Sequence, residues 1–216
     1  SFEKITDICP VQQTNDGALV TGYDMNWVSE LMVKFDILGL RTLSVIYDVC
    51  KNIDEDISDL DLNNKDIFKP LQSLRSPHGL FQLESDTNFR VCQKIKPTNM
   101  EQLSAVVAIA RPGALEFVDQ YAEYVRSGDF QSVHDFFNDV LDYTGGIPLY
   151  QEQLMKMAVK VGFTLDEAEQ LRRIVGKKKI DQMPAWQAKI RDKVLENELP
   201  DEVGDVLWGV AEDSAN

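Results

Sequence analysis

Apolar positions along the chain change period near residue 40. Before it, Gly17-Ala18-Leu19-Val20-Thr21-Gly22-Tyr23 and Leu31-Met32-Val33-Lys34-Phe35-Asp36-Ile37-Leu38 form two short β-type runs around a helical turn at 25–30, which is the pattern of a small strand-containing piece. After Gly39, the residues Leu40, Leu43, Ile46, Tyr47 and Cys50 recur three and four positions apart, so a helix should turn them toward a core. An Asp-rich polar stretch over 52–66 follows, and then the turn Ser76-Pro77-His78-Gly79 and the run Leu80-Phe81-Gln82-Leu83-Glu84-Ser85. A helix should run from there to Ile95, because Lys96-Pro97 forbids its continuation. Thr98-x-x-Glu101 reads as a capping box for a helix over 102–110, which Arg111-Pro112-Gly113 stops. Residues 115–143 are amphipathic and rich in Phe and Tyr, broken at Ser127-Gly128-Asp129 and closed by the turn Thr144-Gly145-Gly146-Ile147-Pro148. Helices are expected over 150–161, over 165–175 with Thr164 and Glu167 at its start and Gly176 at its end, and over 184–196 and 201–211. The fold class expected is mainly α with a small β-containing N-terminal part, an α+β chain without internal repeats.

Composition excludes disorder and low complexity: 216 residues are 44% hydrophobic and 27% charged, with 12 Gly and 8 Pro. No apolar run approaches the ~20 residues a membrane span needs, and the start Ser-Phe-Glu-Lys-Ile has no leader pattern and no initiator Met, so a segment of a longer, cytoplasmic protein is expected. Cys9, Cys50 and Cys92 are odd in number and widely spaced, which fits reduced thiols and neither a disulfide framework nor a zinc site. The net charge of −14 argues against nucleic acid at first sight. Its distribution changes that picture, because residues 171–193 carry 8 basic and 2 acidic side chains while 194–216 carry 7 acidic and none basic. A focused basic island can bind phosphates on an acidic molecule.

Three constellations could carry chemistry. In Val33-Lys34-Phe35-Asp36, strand alternation would place Lys34 and Asp36 on one face, where a carboxylate could hold Mg²⁺ and an amine a phosphate, or the two could simply pair at a sheet edge. In Leu171-Arg172-Arg173-Ile174-Val175-Gly176-Lys177-Lys178-Lys179, a turn after Gly176 could converge five cations on one polyanion such as a triphosphate, and the same cations would also suit a plain helix C-terminus. Arg111-Pro112-Gly113 presents a single arginine on a rigid turn. Asp54-x-Asp56 is no EF-hand, since its sixth and twelfth positions are Asp59 and Lys65, and no Walker A loop surrounds Gly176-Lys177. His78 and His134 lack partner patterns, so turn or surface roles are expected, and Tyr150-Gln151-Glu152-Gln153 alone reads as an ordinary first helical turn.

In order along the chain, Lys34-Phe35-Asp36-Ile37-Leu38-Gly39-Leu40-Arg41-Thr42-Leu43, Gly79-Leu80-Phe81-Gln82-Leu83-Glu84-Ser85, Ala110-Arg111-Pro112-Gly113, Leu149-Tyr150-Gln151-Glu152-Gln153 and Leu171-Arg172-Arg173 through Lys179 resemble blocks of the bacterial replicative DNA polymerases of family C, the DNA polymerase III alpha subunits and their phage relatives. The resemblance runs from about Val20 to the C-terminus. It implies the end of a polymerase-beta-like palm over 1–40 and the N-terminal portion of helical fingers, truncated, over 41–216. It further implies a DNA-directed DNA polymerase that acts on primer-template DNA and deoxynucleoside triphosphates in the bacterial cytoplasm, with other replisome subunits meeting regions outside this chain. Asp36 would be one of three Asp ligands of two Mg²⁺ ions and Lys34 a phosphate contact. Arg172, Arg173, Lys177, Lys178 and Lys179 would bind the triphosphate, and Gln82, Ser85 and Arg111 would shape the template or base-pair pocket.

Some positions depart from the family pattern: the other two Asp ligands are not in the chain, Ala114 stands for a proline and Pro148 for an aliphatic residue. The segment alone is therefore expected to be inactive. From the residues without the resemblance, the competing expectation is a non-catalytic acidic helical module whose basic island binds a partner protein or RNA.

Overall fold

A computed structural model describes residues 3–33, 35, 37–73, 75–177 and 182–215. The chain is mainly α-helical with one two-stranded sheet near its N-terminus, and it divides into two compact units, residues 1–59 and 60–216.

In the first unit, helix α1 (Ile5–Ile8) leads into a hairpin in which β1 (Val11–Gln13) pairs antiparallel with β2 (Leu19–Thr21), Val11 opposite Thr21. Its turn closes on Gly17 at φ +86°, a conformation open to glycine, and the Thr14 hydroxyl donates to the Ala18 carbonyl at 3.0 Å. Helix α2 (Met25–Leu31) starts at Asp24, whose carboxylate accepts from the amides of Asn26 and Trp27. Helix α3 (Arg41–Ile53) ends where Asp54 turns left-handed at φ 58°.

Two expectations fail here. The partner of β2 is Val11–Gln13, not the run over 31–38: Leu31 closes α2, and the described residues after it are irregular, with Phe35 83% and Ile37 97% exposed. Alternation specifies a strand only where a neighbour takes its hydrogen bonds, and the two glutamines of Val11-Gln12-Gln13 hide a strand whose face is solvated. Lys34 and Asp36 lie outside the described residues. The stripe on α3 is the second failure, since Leu40, Leu43 and Tyr47 are exposed and only Cys50 is buried. Helical periodicity reveals an apolar face, not what covers it.

The Asp-rich stretch is exposed, and its carboxylates shape turns locally: Asp56 accepts from the Ser58 amide and hydroxyl, and Asp61 from the Asn63 amide.

The second unit holds two apolar clusters. Helices α4 (Asp86–Ile95), α5 (Met100–Ile109) and α6 (Val118–Ser127) bury Cys92, Ile95, Val106, Ile109 and Tyr121 with Phe68 from the preceding segment. Helices α7 (Asn138–Leu141), α8 (Gln151–Val161), α9 (Leu165–Gly176), α10 (Met183–Glu196) and α11 (Asp201–Ala215) bury Met157, Val161, Leu171, Trp186, Ile190 and Leu207. Thr164 and Glu167 cap α9 reciprocally, as its sequence predicts. Two caps shift by one residue: α5 is capped by Asn99, with Gln102 reaching back to Thr98, and the end of α9 passes from Gly176 to Lys177.

The clusters meet at the turn over 144–148. Gly145 and Gly146 have φ +65° and +78°, and a Cβ on Gly146 would stand 2.5 Å from the Gln131 carbonyl oxygen. Gln153, wholly buried, holds this junction. Its Oε1 accepts from the amides of Leu149 (2.9 Å) and Tyr150 (3.0 Å), and its Nε2 donates to the Thr144 hydroxyl (2.7 Å) and the Val140 carbonyl (3.3 Å). Replacing Gln153 by Leu leaves two amides without their acceptor, so urea unfolding of the chain should show a loss of about 2–4 kcal/mol. A loss under about 0.5 kcal/mol would mean that the junction is held by apolar packing instead.

Candidate functional site

The junction opens a cleft of about 420 Å³ within the second unit. Its floor is the face of α5 bearing Met100, Leu103, Ser104 and Val107 and ending at Arg111, one wall is residues 81–83, and the other is residues 149–152. Three motif segments that are far apart in sequence are thus brought together: the one with Gln82, the turn with Arg111, and the start of α8.

Gln82 adopts φ 63°, a left-handed conformation unusual outside glycine. Asn88 of α4 holds it there, its Nδ2 donating to the Gln82 carbonyl at 2.5 Å. Ser85 is absent from the lining of the cleft; its hydroxyl accepts from the Asn88 amide at 3.2 Å and caps α4. Arg111 is exposed, and its guanidinium has no partner among the described residues. It also lines a larger neighbouring groove running past Pro112, Gly146 and Pro148 to Asp213 of α11.

Arg172 reaches the same place from α9. Its Nη1 donates to Gln151 Oε1 at 2.8 Å, and it lines a smaller cavity of about 140 Å³ that shares Leu149, Tyr150 and Gln151 with the cleft. The sequence leaves both arginines free to meet an anion, whereas the structure pairs both with Glu169. Arg172 Nε and Nη2 donate to the two carboxylate oxygens at 2.6 and 2.7 Å, and Arg173 Nε donates to one of them at 2.8 Å. These bonds, Arg172 first, pull the Glu169 carboxyl down to about 2. Glu169 went unnoticed in the sequence, although it stands three and four residues before the arginines, the spacing of helix neighbours. Lys177 is exposed at the end of α9, and Lys178 and Lys179 lie outside the described residues.

A side cavity of about 310 Å³ adjoins the cleft through Met100, Ser104 and Tyr150 and is lined by Tyr121, Tyr143 and Glu101. The Tyr143 and Tyr150 rings lie parallel, 6.4 Å between centroids. Burial first, and then the Tyr143 phenol and Glu101, pushes the Tyr150 hydroxyl up, so these phenols are neutral donors at neutral pH. His78 and His134 serve turns, with Nδ1 against the Ser76 hydroxyl and the Phe136 amide respectively.

Residues 42–198 match the model of the bacterial DNA polymerase III alpha subunit finger domain. The chain belongs to that family. Among its relatives, the DNA polymerase III subunit alpha of Thermus aquaticus is 34% identical over 99% of this chain and 19% of its own length. Those of Bacillus subtilis and Escherichia coli K12 are 35% and 34% identical over 83% and 97% of the chain. The chain spans about a fifth of the length of these relatives. Among the described residues, no group of three or more His, Cys, Asp or Glu side chains is placed to hold a metal ion, and no helix is long and apolar enough to cross a membrane.

The low value of Glu169 sets a pH dependence. Its folded value lies below the ordinary 4.5, so the stabilisation it brings is complete above about 4.5 and is lost as the pH falls through about 2. NMR titration of the side-chain carboxyls should place Glu169 near 2 in the native chain, and Arg172→Met should move it up toward the ordinary range.

Proposed function

We propose that this chain is the end of the palm (1–40) and the N-terminal portion of the fingers (41–216) of a replicative DNA polymerase, and that the complete enzyme adds deoxynucleotides to a primer 3′ end under the direction of a template. The observation that carries the reading is the meeting of Gln82, Arg111 and the first turn of α8 in one cleft, with Arg172 joined to that turn through Gln151. A cleft with an apolar floor, amide and guanidinium groups on its rim and a basic helix end beside it suits a flat, hydrogen-bonding base with a polyanion attached.

In this reading Arg172 and Arg173, with Lys177, Lys178 and Lys179, bind the triphosphate of the incoming nucleotide. Arg gives planar two-point contacts and Lys gives mobile point charges. Gln82 and Arg111 face the template or the new base pair, and Ser85 acts one step back, by capping the helix whose Asn88 holds Gln82. Substrates are primer-template DNA and deoxynucleoside triphosphates, and other replisome subunits meet parts of the protein outside this chain.

The chemistry proposed for the whole enzyme is in-line phosphoryl transfer assisted by two Mg²⁺ ions, without a covalent intermediate. Asp36 is the one ligand proposed from this chain and Lys34 a phosphate contact. Besides Asp36 and Lys34, this chain is proposed to contribute binding and orientation of the nucleotide, and alone it should not extend a primer.

Primer extension by the full-length protein carrying this segment tests the reading. Asp36→Ala should lower kcat about 10³-fold, and Arg172→Ala should raise the nucleotide KM about tenfold. An Asp36→Ala protein as active as its parent, or an inert parent, would overturn the catalytic reading in favour of an acidic module whose basic island binds a partner protein or RNA.

A further inference from the structure

The two arginines of α9 are held before any ligand arrives. Glu169 takes Arg172 in a fork through Nε and Nη2 and takes Arg173 through Nε, and Gln151 of α8 takes Arg172 Nη1. Side chains of Glu169 and Arg172 are about 30% exposed, so the pair sits in a partly sheltered position at the cavity edge. A guanidinium has five N–H donors. Three of Arg172's are engaged within the fold, leaving one N–H on each Nη atom, while Arg173 keeps both of its Nη atoms without a partner among the described residues.

Two roles are open to a carboxylate in this place. As a counter-charge it would compete with phosphate, and removing it would tighten anion binding. As a brace it would bring the opposite result. A free arginine loses rotamer freedom when it is immobilised, and a braced one has already lost it. The geometry favours the brace. One carboxylate gathers two neighbouring guanidinium groups through the Nε side and leaves N–H groups on the Nη atoms of both without a partner among the described residues, and Gln151 of α8 fixes the third bond of Arg172.

We propose that Glu169 is a positioning residue: by gripping Arg172 and Arg173 at Nε it presets their outer Nη groups to meet the phosphates of one incoming deoxynucleoside triphosphate together. This rests on the polymerase reading. It adds that the affinity of the arginine pair for phosphate comes from arrangement more than from charge, and that Gln151 ties the arrangement to the wall of the base-binding cleft.

The test is steady-state incorporation of a single dNTP by the full-length protein carrying this segment, with Glu169→Gln, Arg172→Lys and the double variant beside the parent. Glu169→Gln keeps shape and, although it gives up the stabilisation of the ionised carboxylate, should leave the protein folded at the assay temperature by circular dichroism, while raising the nucleotide KM about tenfold with a smaller effect on kcat. Arg172→Lys keeps the charge and loses the fork, so it should raise KM similarly, and the double variant should cost little beyond either single change, because both remove one arrangement. If Arg172→Lys raises KM and Glu169→Gln leaves it unchanged or lowers it, the brace is wrong and Glu169 is a counter-charge. An inert parent, or an active one in which neither Arg172→Lys nor Arg172→Ala moves KM, removes the nucleotide role of Arg172 and this inference with it.

Discussion

The amides of Leu149 and Tyr150 point at a single buried oxygen, Oε1 of Gln153, and everything that converges on the cleft depends on that interaction. An amide side chain has an acceptor at one place and two donors at another, so it can serve the start of a helix and a distant turn at once. Here it satisfies the orphan donors at the start of α8 and, through Nε2, binds Thr144 in the turn between the two apolar clusters. The Thr144 hydroxyl in turn lies against the carbonyls of Leu141 and Ile147 at 3.1 and 2.7 Å. Both Thr144 and Gln153 are buried, and no buried side-chain polar atom is unsatisfied among the described residues. A leucine could fill the space, but it could not specify the path of the backbone over 144–150.

That path decides which groups can meet. Because the chain enters α8 at the junction, its first turn is shared by the cleft, the side cavity and the cavity of Arg172. Gln151 points from this turn to α9, and Tyr150 stacks beside Tyr143. A ligand that displaced the first turn of α8 would therefore move a guanidinium on one side and a phenol on the other. Coupling of this kind needs no long pathway, only a rigid element shared by neighbouring sites.

How much of this was legible follows from the range of each interaction. Helices α4, α5 and α8 to α11 in the second unit are marked by period, by caps such as Thr164 with Glu167, and by stops such as Lys96-Pro97, all local signals, whereas 115–143 shows only an amphipathic stretch in which α6 and α7 are not separately marked. The shift of the α5 cap from Thr98 to Asn99 shows the limit of such signals: two neighbouring polar residues can each accept an amide, and packing selects between them. The β1 strand was missed because Gln12 and Gln13 carry no apolar mark, and α3 was misjudged because an apolar stripe says nothing of its cover. Glu169 is legible at helix-neighbour spacing from Arg172 and Arg173, but a cluster of five cations masks a single carboxylate one turn before it. The role of Gln153 could not have been read, because its partners Val140 and Thr144 are joined to it only by the fold. The meeting of Gln82 with Arg111 and residues 149–152 is likewise a property of packing.

The phosphate contacts proposed for this chain lie on a molecule of net charge −14, so the place of each charge decides whether they are reasonable. Exposed charges are screened over about 10 Å at ordinary ionic strength, so the net charge of the whole chain does not set the field at any one guanidinium. What matters is the state of each local cation. Lys94, Lys160 and Arg126 are neutralised by Asp119, Asp139 and Glu123 on the surface, where such pairs contribute little. Arg111 differs in having no partner among the described residues, and a Pro-Gly turn presents it at the rim of the cleft. Arg172 and Arg173 differ in another way, since two guanidinium groups share one carboxylate and keep a residual positive charge, with N–H donors that have no partner among the described residues. In the proposed role, the favourable term for a triphosphate is the fixed direction of a few N–H groups, which salt weakens less than it weakens a diffuse field.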